Sequence, residues 1–510
     1  MKKNKLKQLT VAAAAVAGAH LALPALAADS TNAPAPAEVP AYTANGSGSN
    51  AAEEEEIKAL KEEVQLLSKK IDSLEQQQHQ QSSETQTAQI QDLDQKVRIL
   101  ARQHEIDQDN AAELAKSQPK VTLNQSGFSF ASSDSNFVAQ LHALFQVDSR
   151  TFLHDHGIVG NDSFLIRRAR PIFTGTVFRD FDFNFTPDFG GSTVQIQDAF
   201  LNYHYNTALQ FQTGKFKSPV GLEQLQPDQY TLFNERSLAT DLTPNRDVGA
   251  ELHGDVNGGL FSYAAGIFDG ASDNNGTTFN ADTDDNKAFA GRLFTQPFKT
   301  TSIQALTGFG VGVGGSYEYV THGSGNGLNP SFLTDGQQKF FTYGSTVVAD
   351  GTRWRVSPQT YYYYGPLSLM GEYVLEHQRL ALGTAASKPF QNNAWDVTAG
   401  WVLTGEDATY TGITPRHPFN LHGSGWGAWQ IAARYAQLNV DDDIFNDAFA
   451  AKGSAKSADA WSVGLNWYLN RNVRFNLSYS HTAFSLFNGL STAVTAHPEN
   501  VIFTRVQLGF

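Results

Sequence analysis

Polar and apolar residues alternate with period two through most of this chain. Near its end Ile502, Thr504, Val506, Leu508 and Phe510 fall on one row, with Phe503, Arg505 and Gln507 on the other. Such alternation reads as a β-strand with one apolar face. Upstream, Phe137, Ala139, Leu141, Ala143, Phe145 and Val147 alternate with Gln140, His142, Gln146 and Asp148. Phe181, Phe183, Phe185 and Phe189 alternate with Asp182, Asn184 and Asp188, and Phe309, Val311, Val313, Tyr317 and Tyr319 with a glycine row ending at Glu318. Later rows are Trp395 to Leu403, Trp429 to Tyr435, Trp461 to Trp467 and Val473 to Tyr479. Rows this aromatic, some with two Trp, suit lipid better than a second sheet. Trp and Tyr near strand ends suit a membrane interface. The pattern predicts a transmembrane β-barrel. About 370 residues from Asn136, at about 23 per strand and connection, predict roughly 16 antiparallel strands around a water-filled channel.

The connections fit that fold. Arg179-Asp180 and Asn470-Arg471-Asn472 are tight, whereas 269–286 and 321–338 are long and polar. Short turns at one rim and long loops at the other are the outer-membrane arrangement.

Ahead of the strands the period changes. Ile57, Leu60, Val64, Leu67, Ile71 and Leu74 alternate spacings of three and four, and a second seam runs through Ile90, Leu93, Val97 and Leu100. This predicts an α-helical coiled coil over 53–116, roughly 85 Å long for residues 57–114 at about 1.5 Å per residue. β-branched residues alternating with Leu favour two strands on their own terms. Lys2, Lys3, Lys5 and Lys7, an apolar stretch to Leu23 and Ala25-Leu26-Ala27 predict a cleaved secretory signal over 1–27. Residues 28–52 and 117–135 read as linkers, and 136–510 as the barrel.

Composition narrows the function. The 510 residues include 35 Phe, 17 Tyr, 7 Trp and no Cys, with a formal charge of −14. Absent cysteine removes disulfides and thiolate metal sites. The acidic balance argues against a nucleic-acid partner. A mean hydropathy of −0.34 is compatible with a barrel, because alternate strand residues face water. Gly310-Val311-Gly312-Val313-Gly314-Gly315 fits G-x-G-x-x-G formally, but strand residues follow where a nucleotide fingerprint needs a helix. His154-Asp155-His156 has no third ligand in view and reads as a solvated loop. No catalytic motif stands out, so an enzyme is not expected, nor is a cofactor.

Residues 163–254 resemble the phosphate-selective porin O and P family. The likeness rests on Leu165-Ile166-Arg167-Arg168-Ala169-Arg170, Gly175 to Phe181, Asp198-Ala199-Phe200-Leu201, Gly214-Lys215-Phe216-Lys217-Ser218-Pro219-Val220-Gly221-Leu222-Glu223, Phe233-Asn234-Glu235-Arg236-Ser237 and Asp247-Val248-Gly249. Leu465 to Asn470 and Phe510 also fit. The resemblance implies a homotrimeric, 16-stranded outer-membrane porin for small anions such as phosphate, with its third long loop folded into the pore. It also implies a three-stranded rather than two-stranded coiled coil, lying in the periplasm.

Strand parity then assigns chemistry. Outward apolar rows leave Arg168, Arg170, Arg292, Arg353, Arg355, Arg434, Arg474 and Arg505 facing the lumen. Guanidinium groups lining a narrow wet pore attract anions. The resemblance adds Lys215 and Lys217. The expected constriction, 217–246, adds Arg236 and Arg246 but also Glu223, Asp228, Glu235 and Asp241. The alternative is that the arginines are ordinary wall residues paired with Asp182, Asp188, Glu251, Glu318, Glu372 or Asp396. A general or cation-preferring porin with a tethering coiled coil is the corresponding second reading.

Overall fold

The computed structural model describes residues 49–78, 84–153, 160–191, 193–270, 285–323, 329–487, 495 and 497–510. The expected signal segment 1–27 and His154-Asp155-His156 lie outside the described residues, as does most of the linker 28–52. The chain divides into two compact units, Met1–Ala111 and Ala112–Phe510.

Two helices precede the strands: α1 (Ser49–Gln78) and α2 (Glu84–Ser117). They are rich in Ala, Glu, Lys, Leu and Gln, all strong helix formers. The heptad positions Leu60, Leu67, Ile71, Leu74, Ile90, Leu93 and Val97 are partly buried, while Val64 and Leu100 are exposed.

The strands are β1 (Lys120–Asn124), β2 (Gly127–Ala131), β3 (Val138–Phe152), β4 (Ser163–Val177), β5 (Phe181–Asp188), β6 (Gln195–Asn206), β7 (Leu209–Lys217), β8 (Arg246–Val256), β9 (Phe261–Phe268) and β10 (Ala288–Thr295). There follow β11 (Phe309–Gly323), β12 (Phe332–Leu333), β13 (Lys339–Phe341), β14 (Val347–Tyr364), β15 (Leu367–Leu382), β16 (Lys388–Val402), β17 (Ala428–Asn439), β18 (Ala455–Tyr468), β19 (Val473–Leu486) and β20 (Glu499–Gly509). From β3 to β20, with β12 and β13 set aside, each strand pairs antiparallel with the next. β20 then pairs back onto β3, Val506 opposite Val147 and Arg505 opposite Asp148. The sheet closes as a 16-stranded antiparallel barrel.

Parity sorts the wall as the alternation requires. Val397, Trp401, Ile431, Tyr435, Trp461, Val463 and Leu477 are exposed on the outer surface. Gln430, Arg434, Ser462, Asn466 and Asn476, one position away, are buried on the inner one. A wall that is greasy outside and polar inside needs hydrocarbon as its outer solvent. An arginine near mid-strand on the outer row should therefore be costly. Val397→Arg is expected to destabilise the barrel by about 2–4 kcal/mol, read from urea unfolding in lipid vesicles. A loss of a few tenths would mean that no lipid meets this row.

Two features depart from the sequence-based expectation. Residues 120–131, assigned to a linker over 117–135, form a hairpin instead. Asn124 accepts the Ser126 N–H at 2.7 Å and Gly127 takes φ +106°, which turns the chain. β2 then pairs with the first residues of β3, Phe128 opposite Leu141 and Phe130 opposite Ala139. It takes up the edge of β3 where β20 has ended at Phe510, which exchanges two backbone hydrogen bonds with Ala143. The second departure concerns the rims. The connection 403–427 between β16 and β17 is long, yet it leaves from the rim of the tight turns at 178–180 and 469–472.

The interior is not an open tube. Leu238, Leu242, Phe332, Phe340, Phe341, Phe390, Leu438, Ile444 and Phe449 pack together inside the wall of β14–β18. The lumen is filled mainly by 218–245 between β7 and β8, 329–346 between β11 and β14, and 403–427, with Ile444 and Phe449 added by the connection 440–454.

Candidate functional site: the loop-filled lumen

The segment 218–245 crosses the barrel because the wall offers it partners at every step. It opens with a single helical turn, α3 (Leu222–Leu225). Glu372 on β15 accepts the N–H groups of Leu222 and Glu223 at 2.9 and 3.1 Å. A carboxylate there satisfies donors that the turn leaves unpaired. Gln359 on β14 donates to the Val220 carbonyl at 2.8 Å. The facing residue on β11 is Gly314, where any Cβ would lie 2.2 Å from that carbonyl oxygen. Close approach of the loop is therefore what the β11 glycine row permits. Its neighbours Gly310 and Gly312 make room for the Phe294 ring, and Gly310 also for that of Tyr361.

Further along, Asp228 receives three guanidiniums: Arg168 at 3.3 Å, Arg236 at 2.5 Å, and Arg170. Glu235 takes Arg150 at 2.8 Å and Arg167 at 2.7 Å. The loop's carbonyls bind the opposite wall. Arg474 donates to Thr231 O at 2.9 Å, and Asn466 and Asn476 donate to Leu232 O. Burial penalises the Asp228 charge, yet Arg168, Arg236, Arg170 and Lys217 hold its carboxyl well below the usual range. Glu235 is likewise held low, because Arg167 and Arg150 outweigh its burial. Both are ionised at neutral and mildly acidic pH.

The other inward segments join this one. Asp335 accepts from Arg434, Ser462 and Ser480 at 2.9, 2.9 and 2.6 Å, pinning 329–346 deep in the barrel. Asp241 accepts the Leu333 N–H at 2.7 Å. Burial pushes Asp241 up to about 8; the Leu333 hydrogen bond opposes this and the Asp335 charge adds to it. From the tight-turn rim, Tyr410 donates to Leu222 O at 2.7 Å and receives Gln226 at its own carbonyl. Loops from opposite rims thus meet at α3.

Most candidate cations already have anionic partners. Arg170 binds Asp188 as well as Asp228, Arg353 binds Glu318, and Arg355 binds Glu376 and Glu318. Arg434 binds Glu223 and Asp335, Arg246 binds Asp198, and Arg505 chelates Asp148. Of the acids named as alternative partners, Asp188 and Glu318 take that role, while Glu372 holds the loop. Three cations differ. Arg292 on β10 donates to Gln359 at 2.8 Å and lies 4.4 Å over the Phe294 ring. Arg474 binds only uncharged acceptors, Thr231 O and Gln507. Lys217 binds the carbonyls of Leu225 and Gln226. None of the three forms an ion pair among the described residues.

Lys215 does not line the cavity. The alternation of β7 puts it on the row of Leu209, Phe211 and Thr213, and Gln212 and Phe216 face inward instead. Asp335, Gln359 and Tyr410 were missed by sequence reading. The partners that seat the inward segments, Arg434 for Asp335, Val220 for Gln359 and Leu222 for Tyr410, lie between 99 and 188 positions away, and no local pattern signals them.

Two large chambers remain open among the described residues. The first, about 680 Å³, is bounded by Arg170, Lys217, Asp228, Arg246, Glu251, Asp255 and Arg292. The second, about 770 Å³, lies toward the tight-turn rim among His142, Tyr230, Glu406, Arg416, Arg471 and Arg474. Among the described residues no cluster of His, Asp or Glu could hold a metal ion.

Residues 140–510 match the family described as phosphate-selective porin O and P. The chain belongs to this family. It is an outer-membrane porin, a channel protein of a family of channels rather than enzymes. Porin O of Pseudomonas aeruginosa is 22% identical over 402 residues, covering 70% of this chain and 86% of that protein. Two solved structures are also similar. The outer membrane channel DcaP of Acinetobacter baumannii has a TM-score of 0.47 at 10% identity, over 76% of this porin and 99% of that chain. An anion-selective porin from Comamonas acidovorans has a TM-score of 0.47 at 10% identity, over 73% and 100%.

Proposed function

We propose that this porin passes small hydrophilic anions, phosphate among them, by passive diffusion through the two chambers. The observation that carries this reading is the set Lys217, Arg292 and Arg474. Each borders a chamber and none is spent on a carboxylate. Asp228, the acid nearest the loop tip, faces three guanidiniums and adds little net negative field. Arg168, Arg170, Arg236 and Arg434 then act chiefly as the frame that holds the loops, while Arg353 and Arg355 pair within the wall. In a low-dielectric wall even a few unpaired cations set the sign of the pore potential. One observation favours a cation-preferring channel: Glu251 borders the first chamber and its Oε2 has no hydrogen-bond partner among the described residues. Reversal potentials across a planar bilayer in a potassium chloride gradient separate the two. Anion preference, strengthened when phosphate replaces chloride, is expected; a cation-side potential would overturn it.

The reading extends to assembly. Export with loss of residues 1–27, a homotrimer in the outer membrane and a periplasmic coiled coil over 53–116 fit the half-covered heptad seams of α1 and α2. A chain lacking residues 51–116 should still conduct, as a less stable oligomer on sizing in detergent.

A further inference from the structure

The first chamber runs along the whole of β8, from Lys217 and Arg246 at the long-loop end to Asp255 and Ser262 beside the tight turn 257–260. Midway along it stands Glu251. This side chain is only 8% exposed and borders the chamber, and its Oε2 has no hydrogen-bond partner among the described residues. A buried carboxylate is costly unless a cationic group or hydrogen-bond donors complete it. Among the described residues the fold supplies neither. Arg292 shows the opposite lack. Its Nε donates to the uncharged Gln359, and its Nη groups reach no carboxylate among the described residues.

The register sets these two groups on either side of one strand. Ala264 on β9 lies opposite His253 on β8 and opposite Arg292 on β10, and Glu251 is the next inward residue after His253. Two strand spacings put the backbones of β8 and β10 about 10 Å apart. At that level β9 contributes only the Ala264 methyl group, which itself borders the chamber. The gap is left open, and Glu251 and Arg292 do not pair across it.

We propose that this gap binds a small zwitterion, an α-amino acid, with its ammonium group on Glu251 and its carboxylate on Arg292. The proposal goes beyond the anions read above and rests on the porin reading for access to the chamber. A simple anion is drawn by Lys217 and Arg292 but meets Glu251 as a like charge. A simple cation is drawn by Glu251 but meets Lys217 and Arg292. A solute carrying both charges completes both side chains at once, each through a charge-assisted hydrogen bond.

The test compares two isomers on the parent protein. Single channels are recorded in potassium chloride while L-alanine, or its uncharged isomer lactamide, is added at millimolar concentrations. Alanine should lower the current in a saturable way, and lactamide should leave it unchanged. Glu251→Gln and Arg292→Gln, purified as assembled protein, should each raise the half-blocking concentration about tenfold, as losing one charge-assisted hydrogen bond does. Equal action of alanine and lactamide would overturn the proposal. So would methylammonium blocking as well as alanine, which leaves a cation site at Glu251 alone, or lactate doing so, which leaves an anion site at Arg292 alone. These failures leave the porin reading standing, whereas a parent that passes no current in any salt fails that reading first.

Discussion

Asp228→Asn is expected to shift the pore strongly toward anions. The substitution keeps size and one acceptor but removes the single charge shared by Arg168, Arg170 and Arg236. Three guanidiniums beside the first chamber would then lack their common counter-ion. Breaking a buried ion pair at one partner costs about 3–5 kcal/mol, so the loop tip should loosen. The loop as a whole should stay seated, because Glu235 holds it to Arg150 and Arg167 and Glu372 holds it to β15 across the barrel. The measurement is the reversal potential in a salt gradient, where the anion-to-cation permeability ratio should rise several-fold. The shift should persist across neutral and mildly acidic pH, since the parent carboxyl is ionised throughout that range. An unchanged ratio would mean that the current never passes within reach of Asp228.

The wall was legible from sequence because lipid and lumen each read every second residue. Ile431 and Tyr435 announce one solvent, and Gln430 and Arg434 the other, within half a dozen residues. Lys215 shows the same rule from the opposite side. A family motif drew it into the pore, whereas it shares the row of Leu209, Phe211 and Thr213 and is buried rather than open to the first chamber. The hairpin at 120–131 escaped because each strand is five residues long, too short for period two to stand out from a polar linker. The filling of the lumen was legible only as a suspect loop. Arg434 meets Asp335 across 99 positions and Glu223 across 211, and a charge carries no mark of its distant partner. That is why a row of inward arginines looked like an anion path, although Arg168, Arg170, Arg434 and Arg474 hold loops and Arg353, Arg355 and Arg505 pair within the wall.

Gly314→Val tests whether that scaffold sets the width of the channel. Valine suits a β-strand, so the barrel should assemble. Its side chain, however, points at the loop anchor, where even the first added carbon would sit 2.2 Å from the Val220 carbonyl oxygen. The obstacle is backbone. It cannot step aside cheaply, because Gln359 holds that carbonyl and Glu372 holds the N–H groups of Leu222 and Glu223. Overpacking of this kind costs about 1–3 kcal/mol, enough to break several of these bonds together. The anchor 220–223 should detach while the tip remains on Arg168 and Arg170, leaving a slack loop over a wider first chamber. Single-channel conductance should rise about twofold, and limited proteolysis of protein in vesicles should cut within 218–245, where the parent resists. If conductance and cleavage both match the parent, the loop's position does not depend on its seat against β11, and the glycine row has no part in setting the pore.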